Sequence, residues 1–474
     1  MSSGLDVARD ALAGAQAWLV GGAVRDRLLG ERSIDVDVVV DGDPAAAARA
    51  IARGARRAAC FALSEEFGSW RVVARGGRWQ VDVEPLRGAS IEEDLAQRDF
   101  TINAIAEPIA GGTPIDPLGG QADLRARRLR MAGAAAFADD PLRVLRLVRL
   151  AVELDFEPDA QTVARARAHA DALSGVSPER VFVELRRIIA ARRASQGLEL
   201  MGSLGATAAV LPEIDALRGV EQSRFHHRDV YGHTLEVLDR AVELTSGGER
   251  SPELEAGLGP ARGAVDALLA EPLADGMTRG EALRWGALLH DAAKPLTREV
   301  RADGRVTFLG HDERGAKLAR AILERLRTSE RLRAHVAALV AHHLRLGFLV
   351  HEPQPLDRRT LFAYLRACSP VEVDVTLLSI ADRLATRGDR AQESIDDHLT
   401  LAREILADAL RWRAHGPPPP LLRGDELARE LGIATGPLVG ELLEELAAAQ
   451  YADELDTREQ ALAHARAVVE SSSR

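Results

Sequence analysis

The chain has 474 residues and only two cysteines, Cys60 and Cys368, far apart in sequence. Two such thiols exclude a disulfide framework and fit a reducing, cytoplasmic setting. No apolar run approaches the roughly 20 residues that a membrane-spanning helix needs. The N-terminal stretch carries Asp6 and Asp10 instead of the basic start and apolar core of a signal peptide. Lysine is nearly missing: of 61 basic side chains only Lys294 and Lys317 are lysine. That makes Lys294, inside His290-Asp291-Ala292-Ala293-Lys294-Pro295, a residue to explain. An excess of positive charge is missing as well. The formal net charge is −11, which taken alone argues against a nucleic-acid partner.

The distribution of charge argues the other way. Seven arginines lie between Arg125 and Arg149 against only Asp139 and Asp140, and Arg180, Arg186, Arg187, Arg192 and Arg193 form a second cluster. The acidic excess lies elsewhere, notably in the last 60 residues. Arginine clusters beside nucleotide motifs suit an RNA backbone.

A chain of this length holds three or four domains. Up to about residue 125, short β-like runs (36–40, 70–74, 79–83) alternate with helical stretches such as Pro44–Gly54, which predicts a small α/β head over 1–125. Beyond it the pattern is helical (141–154, 160–173, 178–194), giving a neck over 126–219. An all-α block follows over 220–415, broken by a polar, Gly-rich segment from Thr245 to Gly263 that reads as a surface loop. Gly416 and four prolines form a stiff linker into an acidic helical tail, 416–474.

The chemistry starts where the apolar run Trp18-Leu19-Val20 meets Gly21-Gly22-Ala23-Val24-Arg25-Asp26. A strand ending in a glycine pair at a helix start makes a phosphate cradle. Nothing projects from the glycines, the helix dipole favours anions, and Arg25 adds charge. Asp35-Val36-Asp37 opens the next strand. Alternation puts both carboxylates on one face, about 7 Å apart at Cα. Two carboxylates so placed bridge hard divalent cations, Mg²⁺ above all, that also hold a triphosphate. In Trp79-Gln80-Val81-Asp82-Val83-Glu84, Asp82 and Glu84 share a face, so either supplies a third carboxylate.

Four further blocks follow: Arg98-Asp99-Phe100-Thr101-Ile102-Asn103, Asp116-Pro117-Leu118-Gly119-Gly120 with Asp123, Asp139-Asp140-Pro141-Leu142-Arg143, and Glu179-Arg180 with Glu184. From about residue 16 to 220 their order resembles the class II tRNA nucleotidyltransferase and bacterial poly(A) polymerase family. The resemblance implies ATP and CTP as substrates and an RNA 3′ end, that of tRNA, as acceptor. It selects Asp82 as the third carboxylate and gives Arg98 and Asp99 a ribose contact. Gln97 stands where the family has a second arginine. Asp140 and Arg143, at i and i+3, are expected to share a helix face. An acceptor beside a donor matches the amino group and unprotonated ring nitrogen of cytosine or adenine. Uracil and guanine present the reverse. This pair resembles the family's protein template. Arg146 and Arg149 continue the same face and are expected to hold the triphosphate.

A last set, His233, His290-Asp291, His311, His342-His343 and Asp382, is spread over separate helices. Imidazoles and carboxylates together suit a transition metal such as Ni²⁺, Mn²⁺ or Co²⁺. The pattern is similar to the HD superfamily, which implies His233, His290, Asp291 and Asp382 as ligands, with His311 and His342 for a second metal. Lys294 would face a phosphate oxygen. Gly436-Pro437 in the tail resembles the family's tRNA-gripping region. The expected architecture is therefore multidomain: a small α/β nucleotidyltransferase head, an all-α neck, an HD domain and a helical tail. Four functions come into question: tRNA nucleotidyltransferase, poly(A) polymerase, an HD phosphohydrolase whose head binds RNA, and a non-catalytic RNA-binding scaffold; the intact Asp35/Asp37 pair weakens the last two.

Overall fold

Along Asp35–Val40 (β2), Val36, Val38, Val39 and Val40 are buried while Asp35 is exposed and Asp37 half-buried. One side of the strand therefore belongs to the core and the other carries charge. In the computed structural model, which describes residues 3–31, 34–55, 58–64, 68–222, 227–387 and 391–472, β2 lies inside a six-stranded sheet. The other strands are β1 (Ala17–Val20), β3 (Ala58–Ser64), β4 (Ser69–Ala74), β5 (Gln80–Pro85) and β6 (Glu107–Pro108), in the order β3-β4-β5-β2-β1-β6. Only β2 and β5 run parallel; every other neighbouring pair in this sheet is antiparallel. Their register sets Asp37 beside Asp82, and the β4–β5 register sets Arg71 beside the same Asp82. Val38, Ile51, Val72, Val81 and Val83 are fully buried between the sheet and the helix Pro44–Gly54, while Val39, on the other face, packs with Ile91 and Leu95. Each contributes about 2 kcal/mol of apolar burial.

The predicted strands are present with their ends shifted by a residue or two. The edge strand β3 was not predicted: Phe61 and Leu63 on it are exposed, so it shows no buried–polar alternation. The helix Arg143–Leu154 stops at Asp155 in the left-handed region, Ala160–His169 passes into a 3₁₀ turn, and Pro178–Ala190 ends four residues before the predicted boundary of 194.

The described chain forms two compact units. One runs to residue 188 and takes in 196–210; the other holds 189–195 and everything from 211 on. In the second unit the segment from Thr245 to Gly263 is not the expected loop. It holds the helix Pro252–Leu258, a 3₁₀ turn, and the start of the helix Arg262–Leu269. Leu254, Leu258, Val265, Leu268 and Leu269 form a buried stripe at helical spacing, and Ser251-Pro252 starts it. Two short hairpins, Pro272–Ala274 with Met277–Thr278 and Glu299–Val300 with Val306–Thr307, interrupt the all-α block. The tail helices Gly424–Leu431, Pro437–Tyr451 and Arg458–Ser472 enclose a small core around Leu427, Leu442, Leu446 and Ala461. Among the described residues no helix is long and apolar enough to cross a membrane.

The block Asp116 to Asp123 fixes the turn that carries Asn103. Asp116 accepts from the backbone N–H groups of Gly120 (2.6 Å) and Gln121 (2.9 Å), while Asp123 accepts from Thr101 Oγ1 (2.7 Å). A Cβ on Gly120 would lie 2.1 Å from the Thr101 carbonyl oxygen. Gly120→Ala should therefore destabilise the first unit by more than about 2 kcal/mol. Thermal melts of the two proteins test this, and an unchanged melting curve would contradict the close approach.

Candidate active site and metal centre

Asp35 and Asp37 open from β2 into a cavity of about 500 Å³ that Gly21, Gly22, Asp82 and Glu84 also line. Gly21 has φ 68° and begins the helix Gly22–Leu28. A Cβ there would sit 3.0 Å from Asp37 Oδ2, so backbone freedom and close packing both demand glycine. Burial pushes the Asp37 carboxyl up to about 6; Arg98 opposes that shift, and Glu84, Asp82 and Asp35 add to it. Four carboxylates crowded on one face, with only oxygen donors, fit a hard divalent cation such as Mg²⁺. Asp82 lies beside Asp37 as expected. Both its oxygens are held by Arg71, Nε to Oδ1 and Nη2 to Oδ2, each at 2.7 Å.

The other predicted nucleotide residues line the same cavity, several of them already engaged. Arg25 donates to Asp26 (2.6 and 2.8 Å) and to Asn103 Oδ1 (2.9 Å), and Arg98 donates to Asp94 (3.0 Å). Asp99 Oδ1 accepts from Phe100 N and Asn103 Nδ2, and Oδ2 accepts twice from Arg146 (2.6 and 2.9 Å). Burial alone would push its pKa up, but Arg146 holds the carboxyl well below the usual range. Asp99 is thus a support for Arg146.

Two expectations need correction. Asp140 does not share a helix face with Arg143. It is extended (φ −149°) ahead of the helix Arg143–Leu154, accepting from Leu142 N (3.2 Å) and from Arg180 Nη2 (2.7 Å). The Pro141 turn, not helical spacing, brings the pair to one cavity. Arg143 donates to the carbonyls of Gln97, Ala136 and Arg98 (2.9 to 3.3 Å). Arg149 is no free triphosphate ligand: it is buried and paired with Glu184 (2.6 Å) and Glu153 (2.9 Å). Local spacing showed the arginine row but not Glu184, which lies 35 residues away. Arg71, Arg87, Asn103 and Arg187 also line the cavity and were missed. The Arg71 signal lay in strand pairing, which a single sequence does not display.

In the second unit two groups of ligand atoms lie within 4.8 Å of one another: His233, His290 and Asp382, and then Asp291, His311 and His343. Asp291 stands between them. Its Oδ2 is 3.2 Å from His290 Nε2, and its Oδ1 is 3.4 Å from His311 Nε2 and 4.0 Å from His343 Nε2. His290, His311 and His343 each place Nδ1 at 2.7 to 2.8 Å from the carbonyl three residues back. A carbonyl only accepts, so Nδ1 carries the hydrogen and Nε2 keeps its lone pair for a cation. Nε2 of His290 and His311 is buried without a hydrogen bond. Burial pushes His343 down to about 4, keeping it neutral. This donor set fits a transition metal.

His342 is corrected to His343. The helix Glu330–His342 ends at His342, whose Nδ1 accepts from Arg345 (2.9 Å), and the next residue turns inward. Lys294 meets Asp291 Oδ2 (2.7 Å) and Gln222 Oε1 (2.6 Å) at the edge of a cavity of about 590 Å³. Ser379 and His398, bonded at 3.0 Å, line that cavity and were not foreseen.

A carboxylate-faced sheet with a glycine-led helix, followed by helices and a His/Asp centre, defines a nucleotidyltransferase joined to an HD domain. Residues 17–130 match the poly A polymerase head domain, 155–218 a probable RNA and SrmB-binding site of polymerase A, and 230–387 the HD domain. The A-adding tRNA nucleotidyltransferase of Deinococcus radiodurans is 38% identical over 454 residues, 94% of either chain. The CC-adding tRNA nucleotidyltransferase of Thermus thermophilus is 35% identical, covering 94% of this chain and 92% of its own. The fold is similar to that of the Bacillus stearothermophilus CCA-adding enzyme in complex with CTP, with TM-score 0.64 and 22% identity over 100% of this chain and 99% of that one. It is also similar to that of the Thermotoga maritima CCA-adding enzyme complexed with tRNA, with TM-score 0.60 and 20% identity over 98% of this chain and 95% of that one. The chain belongs to the tRNA nucleotidyltransferase family.

A carboxyl raised from 3.8 to about 6 destabilises the fold above pH 6, where it must ionise, and not below about pH 4. Asp37→Asn should thus raise the melting temperature of metal-free protein at pH 7.5, by at most ~3 kcal/mol of stability, and far less at pH 4.5. An equal shift at both pH values would contradict the raised Asp37 carboxyl. Asp140→Ala should admit UTP or GTP more than it slows CTP or ATP. Unchanged nucleotide preference with a lower rate would make Asp140 a turn residue only.

Proposed function

We propose that this enzyme adds C, A or both from CTP and ATP to the 3′ end of tRNA without a nucleic-acid template. The observation that carries this reading is one cavity holding the Asp35/Asp37 face, the Gly21-Gly22 turn and the Asp140/Arg143 pair. Asp35, Asp37 and Asp82 would hold two Mg²⁺ ions. Bound there, the cations would supply activation of the 3′-hydroxyl and charge stabilisation of the departing pyrophosphate. Gly21 and Gly22 let backbone approach the phosphates, and Arg98 reaches the sugar from beside Gly21. Asp140 accepts from the exocyclic amino group while Arg143 donates to the ring nitrogen. Both resting contacts, Arg180 on Asp140 and the carbonyls on Arg143, then make room for the base. A uracil or guanine edge would leave these groups unpaired, a large penalty in a partly buried site. Relatives named as tRNA enzymes favour tRNA over polyadenylation.

The division of labour follows the chain: head 1–125, neck 126–219, HD domain 220–415 and a tail, 416–474, that grips tRNA in the cytoplasm. A second reading is added by the buried Nε2 atoms of His290 and His311. The HD domain holds Ni²⁺, Mn²⁺ or Co²⁺ and hydrolyses a phosphoester.

Incubation with tRNA ending before CCA and with tRNA ending in CC, each with CTP or ATP, tests the first reading. Incorporation into neither would overturn it. Replacing His290 and Asp291 by Ala should abolish transition-metal loading and phosphoester hydrolysis, and leave nucleotide addition within about twofold, since the two centres share no ligand. Loss of addition in that variant, with the fold intact, would refute separability.

A further inference from the structure

We infer that Arg71 is a positioning residue: a resident counter-cation that closes Asp82 to the second divalent metal until a metal-bound triphosphate arrives. The inference rests on the two-metal reading of the head. Strands β4, β5 and β2 are neighbours, and their registers place Arg71, Asp82 and Asp37 in one row across the sheet. All three line the cavity. Because Arg71 takes Asp82 in a fork, with both bonds at 2.7 Å, neither carboxylate oxygen meets a cation on that side without displacing the guanidinium. A guanidinium keeps its proton at any working pH, so its charge leaves the site only if the side chain moves.

The pair is not a buried strut. The side chain of Arg71 is 28% exposed and that of Asp82 16%, so one side of the fork faces the open cavity. A half-solvated cross-strand pair adds little to folding. Its effect on an incoming cation is large, because a dication approaching Asp82 meets a fixed positive charge in contact with its own ligand. A triphosphate changes that balance. It supplies the planar oxygen pairs that a guanidinium fork binds, within the same cavity, and so takes Arg71 as the metal takes Asp82. Metal and nucleotide then bind Asp82 and Arg71 as a unit, while Asp35 and Asp37 receive the first cation independently.

The test titrates Mn²⁺ into full-length wild type, Arg71→Met, Arg71→Lys, Asp82→Asn, Asp37→Ala and the Arg71→Met/Asp82→Asn double variant. The free aquo-ion signal is read by electron paramagnetic resonance. The histidine centre contributes the same background to every protein, and thermal melts verify folding. Arg71→Met should bind Mn²⁺ about tenfold more tightly without nucleotide. Its KM for CTP or ATP should rise several-fold and its kcat should change little. Arg71→Lys, which keeps charge without the fork, should show a smaller gain, and it carries the test if the Met variant fails to fold. The double variant should lose the gain. Unchanged Mn²⁺ affinity in Arg71→Met, or a gain that survives in the double variant, would overturn the inference and leave a cross-strand pair. If Asp37→Ala also binds Mn²⁺ like wild type, the two-metal reading itself fails; if only Asp37→Ala weakens binding, the role of Arg71 alone does.

Discussion

Like-charge crowding on one face of the sheet is the constraint around which the first unit is arranged. Asp35, Asp37, Asp82 and Glu84 repel one another, and the register of β2 against β5 forbids them to separate. The opposite face supplies the offsetting energy. Val36, Val38, Val81 and Val83 are buried there, and slipping the register by one residue would exchange the buried and charged sets. Arg71 and Arg98 offset part of the repulsion, and burial together with what is left of it keeps the Asp37 carboxyl raised. A site held in this state by its core favours cations strongly without needing to rearrange.

A second layer of charge organises the arginine-rich helix. Arg146 bonds Asp99, and Arg149 bonds Glu184 and Glu153, which ties the helix Arg143–Leu154 to the Arg98–Asp99 block and to the helix Pro178–Ala190. Two of the arginines in a row that reads as an RNA-facing surface are therefore internal ties. Asp140 and Arg143, at the start of this braced helix, inherit its fixed position. Under the proposed reading, base choice depends on such rigidity, because a loose acceptor–donor pair would adapt to any Watson–Crick edge.

Much of this was legible in the sequence. Gly21, Asp35 and Asp37 declared themselves through alternation and a glycine pair, Asp82 only through the family resemblance, and five members of the His/Asp centre (His233, His290, Asp291, His311 and Asp382) through their order and the likeness to the HD superfamily. What was not legible depends on partners distant in sequence or on helix ends. Asp140 leaves the helix because Pro141 forces an extended residue before it. His343 replaces His342 because the last helical turn, which periodicity does not fix, ends between them. The segment after Thr245 hid two helices behind polar and glycine residues, because its apolar stripe is carried by five widely spaced side chains.

The three histidines bonded to carbonyls three residues back have a consequence for how a cation comes and goes. Each ring is held by its own turn and not by the other ligands. The lone pairs are therefore fixed toward the two neighbouring groups, that of His290 toward His233 and Asp382 and those of His311 and His343 toward Asp291. Exchange of one ion for another then costs dehydration and little rearrangement of the chain. Ligands can also be lost one at a time, so the centre would decay by steps in affinity and not by collapse.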